Sequence, residues 1–496
     1  MPLPPFLTSQ PSYNHCVHRR LRRALLLWAC AGSLTGVITP TATRADARSG
    51  IDDLKNEASA LPSEFAADLL IRIAGSPAIE DSSDKRTLLD SAFMRAYGAQ
   101  EPYKRAAPPP QTPIDSRAGG YTRAFATGLD VLTLQLRATM AMVPVDAARA
   151  RELFEWIDFY LPAASCDSAL VPVTDEYYAA LTAIARQTFG PWSTPDSNGD
   201  ALRFFTLYLW HAHLPSEVPA VARAVRALRL RRPDAAYLEG TLQTMVDHMD
   251  HDARGFSTYG LDIVSKMSDL ANDNRSEGVF GETVMRGLRK LLVGELSASR
   301  CGDSVSEGPI TEHFNGIVRR NDLPRDLVPP IAANEARPLK VLGRAQVDRY
   351  WQTPEAQRLY AGLRRLRDAA GTGARVPLIK RSNEWQMEAQ SYLMDLERWN
   401  GVHEPVDRDY FDEKALLFDV YMDVVPSGAL RTRAVRSLIE FLRRSRTGRE
   451  PRTLWFAHVT RLLQRHDPAT IPTMEQSGDD IMATYARAER LLATRN

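Results

Sequence analysis

The stretch from Asp146 to Leu214 reads as three helices in succession, with Cys166 in the loop after the first. Asp146 stands at an N-cap position, and Leu153, Phe154, Ile157 and Leu161 follow at helical spacing. Thr174 is the expected cap of the second helix. Asp175 and Glu176 lie in its first turn, where the helix dipole favours negative charge, and Gly190-Pro191 closes it. Asp200 opens the third, which carries Phe204, Phe205, Leu207, Tyr208, Leu209 and Trp210 and is apolar on most sides, so it is expected in the interior. This stretch reads as the anchor to which later chain is pinned, and the pin is Cys301.

The amino terminus decides how the cysteines pair. Residues 18–23, His-Arg-Arg-Leu-Arg-Arg, precede an apolar run from Ala24 to Thr39. Ala45-Asp46-Ala47 then has the small-x-small form that signal peptidase needs, so residues 1–47 read as a secretory signal peptide cleaved after Ala47. The run is shorter than the about 20 apolar residues that cross a bilayer, and Gly32, Gly36 and Pro40 interrupt it. Leu27-Trp28-Ala29-Cys30 is an imperfect lipobox with a bulky Trp28. Export to an oxidising compartment, periplasmic or extracellular, removes Cys16 and Cys30. Cys166 and Cys301 are left as one pair, each in turn-like sequence, and the expectation is a disulfide. In the chain-entropy model a loop of that length is worth about 4–5 kcal/mol. Neither cysteine has the basic or His-rich neighbours that would activate a thiol.

The rest of the chain predicts an all-α fold: an irregular array of antiparallel helices, α-solenoid-like or a bundle, in two lobes. No exact repeat supports a familiar solenoid class. Residues 48–300 form the expected amino-terminal lobe, with a Pro-rich surface linker at 101–120. Within it, Tyr121, Phe125, Leu129, Leu132, Leu136 and Met140 keep the helical period and predict one long amphipathic helix. Residues 301–350 hold Pro309, Pro324, Pro329, Pro330 and Pro338 and read as an irregular connection, with a short strand near Leu339–Leu342. Residues 351–496 form the second lobe, opened by Thr353-Pro354-Glu355 as a cap with Pro at the first helical position. No segment after the leader is long and apolar enough to span a bilayer.

Few residues point to chemistry. Asp247, His248, His251 and Asp252 are the best metal candidates, since positions four apart share a helix face, but no third ligand is evident and the cluster sits at a helix end. A helix-terminus turn is the expected reading. His211 and His213 are two apart and point to different sides of a helix. Asp196, Asn198 and Asp200 resemble half a calcium loop, whose twelfth position here is Leu207. Ser82 and Lys85 match Ser-x-x-Lys without its companion motifs. Glu312, His313 and Asn315 group an acid, an imidazole and an amide in the irregular connection. An acidic run from Asp407 to Asp423 precedes a basic run from Arg431 to Arg465, and neighbouring helices are expected to neutralise each other.

The whole chain carries a net charge of +1; removing residues 1–47, with five Arg and one Asp, leaves about −3, so no nucleic-acid partner is implied. No catalytic residue, cofactor or metal is assigned. The expectation is an exported binding or scaffold protein of the cell envelope with a protein or polysaccharide partner. The alternative is an (α/α)-toroid polysaccharide hydrolase or lyase, by fold analogy.

Overall fold

The computed structural model describes residues 44–107, 113–189, 195–228, 232–273, 280–302, 307–321, 323–345, 349–370, 380, 382–402, 407–446 and 452–493. They form 20 α-helices and one pair of two-residue strands, so the all-α expectation holds. Residues 1–43 of the expected signal peptide, 1–47, lie outside the described residues. The first helix begins at Arg44, so the expected cleavage position, Ala47, falls at its start.

The first helices are α1 (Arg44–Ala60), α2 (Ser63–Gly75) and α3 (Ser82–Ala96). Strand β1 (Arg105–Ala106) pairs antiparallel with β2 (Val171–Pro172). Between them lie α4 (Arg117–Phe125), α5 (Val131–Met142) and α6 (Ala147–Glu155). Then come α7 (Asp175–Thr188), α8 (Pro195–Leu209), α9 (Val218–Leu228), α10 (Arg232–Asp247), α11 (Ala253–Asp273), α12 (Phe280–Ser297) and α13 (Glu307–Arg320). The remainder is α14 (Pro354–Ala370), α15 (Asn383–Arg398), α16 (Asp407–Val424), α17 (Ala429–Ser445), α18 (Arg452–Gln464), α19 (Thr470–Glu475) and α20 (Asp480–Ala493). Among the described residues no helix is long and apolar enough to cross a membrane.

Two apolar clusters hold these helices, and α2 belongs to both. Its Ala67, Leu70, Ile71 and Ala74 pack with α3 and α5–α13. Its Phe65, Ala66, Leu69 and Ile73 pack with α1 and α14–α20. A helix that is apolar nearly all round belongs in an interior, and the run Phe-Ala-Ala-Asp-Leu-Leu-Ile makes α2 such a helix. The last helices close on it. The Phe65 ring meets those of Phe456 and Tyr485 at 5.0 and 6.3 Å. The Tyr485 hydroxyl donates to Asp68 at 2.7 Å, and Arg452 pairs with the buried Glu64 at 2.7 Å.

Several elements differ from the sequence expectation, each for a local reason. The stripe from Tyr121 to Met140 is two helices. Gly128 takes φ +65, which ends α4, and Asp130 then caps α5 by accepting from the Thr133 N–H at 3.0 Å. Helix α8 starts at Pro195, five residues before Asp200, and it is only partly interior: Phe205 and Leu209 are buried, but Leu207 is 59% and Trp210 61% exposed. Thr174 sits at the N-cap of α7 without a side-chain cap bond. In the Pro-rich 101–120 stretch, expected on the surface, Asp115 and Ser116 are buried and α4 begins at Arg117. The expected irregular connection contains α13, and the strand near Leu339–Leu342 is a single parallel bridge, Arg300 to Val341. Asp146 and Thr353 cap as expected, Arg149 N–H reaching Asp146 at 2.9 Å and Ala356 N–H reaching Thr353 at 3.2 Å.

Candidate functional site

Cys166 and Cys301 are bonded across 135 residues of chain, with their Cα atoms 5.2 Å apart. Ala253, the first residue of α11, packs on the sulfurs. The adjoining Arg254 is buried, and its Nη2 donates to the Cys166 carbonyl at 2.6 Å. Asp252 caps the same helix, its Oδ1 accepting from the Gly255 N–H at 2.8 Å, while the Ala164 N–H reaches it from the cysteine loop. A Cβ on residue 255 would collide with that carboxylate, so glycine fits where the cap folds back. Burial raises the Asp252 pKa, and the Gly255 and Ala164 N–H groups only partly offset this. On the far side, the Arg300 N–H donates to Lys340 at 2.9 Å and the Leu342 N–H to Arg300 at 2.7 Å. The disulfide therefore joins three segments: the loop after α6, the start of α11 and the chain leaving α12.

Two histidines clamp the margins of this junction. His251 places Nδ1 2.9 Å from Glu295 on α12 and Nε2 2.8 Å from the Ser299 carbonyl. His213 places Nδ1 2.9 Å from the His211 carbonyl and Nε2 2.9 Å from the Leu161 carbonyl. All four partners only accept, and a neutral imidazole has one N–H, so both geometries call for the imidazolium. The Glu295 carboxylate raises the His251 pKa most. Burial pulls His213 down, but the two carbonyls and the Glu217 and Asp250 charges raise it overall. Glu217 is fully buried and accepts from the Tyr178 hydroxyl at 2.6 Å and from the His213 and Leu214 N–H groups at 3.0 Å each.

The metal candidates do not converge. Helix α10 ends at Asp247, so the spacing of four between Asp247 and His251 no longer shares a helix face. Asp247 pairs with Lys290, His248 leans on the Thr244 carbonyl at 2.8 Å, His251 holds Glu295 and Asp252 caps α11. Among the described residues no group of three His, Cys, Asp or Glu side chains is placed to hold a metal. Asp196, Asn198 and Asp200 lie in the opening turns of α8 rather than in a loop. Ser82 is exposed in the first turn of α3, with Lys85 one turn on. Glu312, His313 and Asn315 lie on α13. Asn315 clamps the Ile331 backbone at 2.8 and 3.0 Å, and His313 meets the Ser265 hydroxyl at 3.2 Å, so they form no shared site.

A second buried node was not evident in the sequence. Asp412 on α16 accepts from the Tyr350 hydroxyl at 2.6 Å, His458 Nε2 at 2.8 Å and Arg123 at 3.0 Å. Burial pushes its pKa up, but Arg123 and the two hydrogen bonds outweigh this and hold it well below the usual carboxylate range. Its three partners come from distant parts of the chain, which local patterns do not reveal. The acidic and basic runs do meet: Arg461 and Arg465 both pair with Asp419, and Arg465 also with Asp423 at 2.6 Å. Other members of the basic run pair elsewhere, Arg431 with Asp467 at 3.0 Å and Arg446 with Asp479 at 2.8 Å.

Beside the disulfide junction the surface turns aromatic. Tyr160, 74% exposed, stacks on the clamped His213 ring, with centroids 5.1 Å and planes 11° apart. Trp210 lies three residues before His213 in the turn that ends α8, with Leu207 one turn earlier. No protein-family model, curated protein or solved structure matches this chain.

Proposed function

We propose that this is an exported, non-enzymatic binding protein of the cell envelope, and that it holds a polysaccharide through the exposed rings of Tyr160 and Trp210. The observation that carries this reading is the Tyr160–His213 stack. One face of the tyrosine ring is fixed on an imidazole that two carbonyls pin, and the ring is otherwise largely exposed. A flat, pre-positioned ring loses little conformational freedom on binding. It suits the flat C–H face of a pyranose, and His211 and Asp250, which lie beside His213, carry groups that suit sugar hydroxyls. The disulfide supports the export reading, since such bonds persist in oxidising compartments.

Co-sedimentation with insoluble peptidoglycan, chitin and cellulose tests the proposal. At least one should retain the protein, and Tyr160→Ala with Trp210→Ala should weaken retention by about tenfold or more, the scale of an aromatic hot spot. Failure to bind any of the three contradicts the reading. Release of new reducing ends from a bound polymer would replace it with the (α/α)-toroid hydrolase or lyase.

A further inference from the structure

A cavity of about 350 Å³ opens where the first helices meet the last, away from the disulfide junction. Its apolar wall is Leu61, Phe65, Trp455 and Ile481, and the Phe65 and Trp455 rings are almost wholly buried. Its charged lining is Arg446, Arg452 and Asp480. We propose that this cavity binds a small amphiphilic anion, with one carboxylate-type head and a compact apolar body.

The two arginines carry the head-group assignment. Arg446 holds the buried Asp479 through Nε at 2.8 Å, and Arg452 holds the buried Glu64 through Nη1 at 2.7 Å. Each pair fixes a guanidinium in place, yet occupies only part of its fork of five donors. Their side chains are 37% and 53% exposed, whereas the two acids beneath them are nearly inaccessible. A ligand therefore meets these cations before the two acids that hold them. Three helices also begin at this cavity: α2 at Ser63, α18 at Arg452 and α20 at Asp480. The N-cap of α2 is Pro62, which supplies no side-chain acceptor to its first turn. The helix N-termini add N–H dipoles beside the arginines, though at the start of α20 Asp479 already accepts from the Met482 N–H at 3.0 Å. Asp480, which is exposed, is the single carboxylate among the lining residues; with Glu64, Asp479 and nearby Glu101 it offsets both arginines, so the head group is held by their remaining N–H donors and not by net charge.

The wall sets the body. A cavity of this volume is at the small end of ligand sites, which run from about 300 to 1,000 Å³. It suits a ring or a short alkyl chain of roughly six to ten carbons. The aromatic rings exclude a second charged group from the inner end, which favours an amphiphile over a dicarboxylate.

Calorimetric titration of the full mature protein with 4-phenylbutyrate, 4-phenylbutyramide and 4-phenylbutylamine tests this. The carboxylate should bind about tenfold or more tightly than its neutral amide, the worth of a charge-assisted hydrogen bond. The amine should bind least. Asp480→Asn, a change at an exposed position, should tighten carboxylate binding a few-fold. Arg446→Gln should weaken it by about tenfold while leaving the circular dichroism spectrum unchanged. Equal binding of carboxylate and amide, preference for the amine, weaker carboxylate binding in Asp480→Asn, or no binding at millimolar concentration would each overturn the proposal.

Discussion

His251 holds Glu295 at 2.9 Å through one ring nitrogen and the Ser299 carbonyl at 2.8 Å through the other, two residues before Cys301. Both bonds need the charged ring. Glu295, Asp252 and the Ser299 carbonyl all favour the cation against partial burial, so the folded pKa lies above the ordinary value of about 6.5. A raised histidine pKa stabilises the fold fully below the unfolded value, and that contribution fades as pH rises through the folded value. The clamp should therefore strengthen folding at pH 5.5 and lose its effect as pH rises through the folded value. His251 is partly exposed, so the gain is below about 1 kcal/mol after screening. Urea denaturation across this range should show stability falling with pH in the native protein and a flatter profile in His251→Gln. Identical profiles would remove the clamp from the account.

The disulfide closes a loop spanning 135 positions, and the chain-entropy model assigns it about 5 kcal/mol. Replacing both cysteines with serine should lower the urea midpoint by several kcal/mol equivalent and expose the loop after α6 to proteolysis first. Arg254 and Asp252 hold that loop by hydrogen bonds only. An unchanged midpoint would show that the polar junction suffices alone.

Asp412 is fully enclosed, and its charge is matched by Arg123, Tyr350 and His458. Asp412→Asn leaves a largely buried guanidinium short of its counter-charge and should cost about 3–5 kcal/mol. Tyr350→Phe removes one hydrogen bond to a charged group and should cost about 1.5–3 kcal/mol. Because the folded carboxyl is held low, its contribution is present above the unfolded pKa of about 3.9 and is lost as pH falls below that. Acid unfolding should thus begin at lower pH in the native protein than in Tyr350→Phe. If both variants melt with the native protein, the node is not what joins α4 to α16 and α18.

Gly128 turns the chain between α4 and α5 at φ +65. Alanine there should destabilise the protein by about 1 kcal/mol or more through backbone strain, whereas Gly199→Ala, within α8, should be neutral or stabilising by up to about 1 kcal/mol. Thermal denaturation of the two variants gives the comparison, and a neutral Gly128→Ala would contradict the assigned break.

Helix content, the caps at Asp146 and Thr353 and the cysteine pair were legible because each rests on local chemistry, whereas Ser63, Thr174 and Asp200 did not cap as read. Asp146 and Thr353 cap with their own side chains, and Cys166 had one partner left after the leader was set aside. The split at Gly128 was masked by a period that runs unbroken on either side of it. The exposed Trp210 was misread because apolar content places a helix near a core without saying which face meets it. Clamps such as His213 on Leu161, and the node around Asp412, join residues far apart in sequence, so no window of neighbours contains them.

Export, proposed above, and the Cys166–Cys301 pin make up the central claim. The most direct test is intact-mass and non-reducing peptide analysis of the secreted protein, alkylated in denaturant without reductant. The expected result is a chain beginning at Arg48 with no alkylated cysteine and one linked peptide pair carrying Cys166 and Cys301. Retention of residues 1–47, or alkylation at both cysteines, would contradict it.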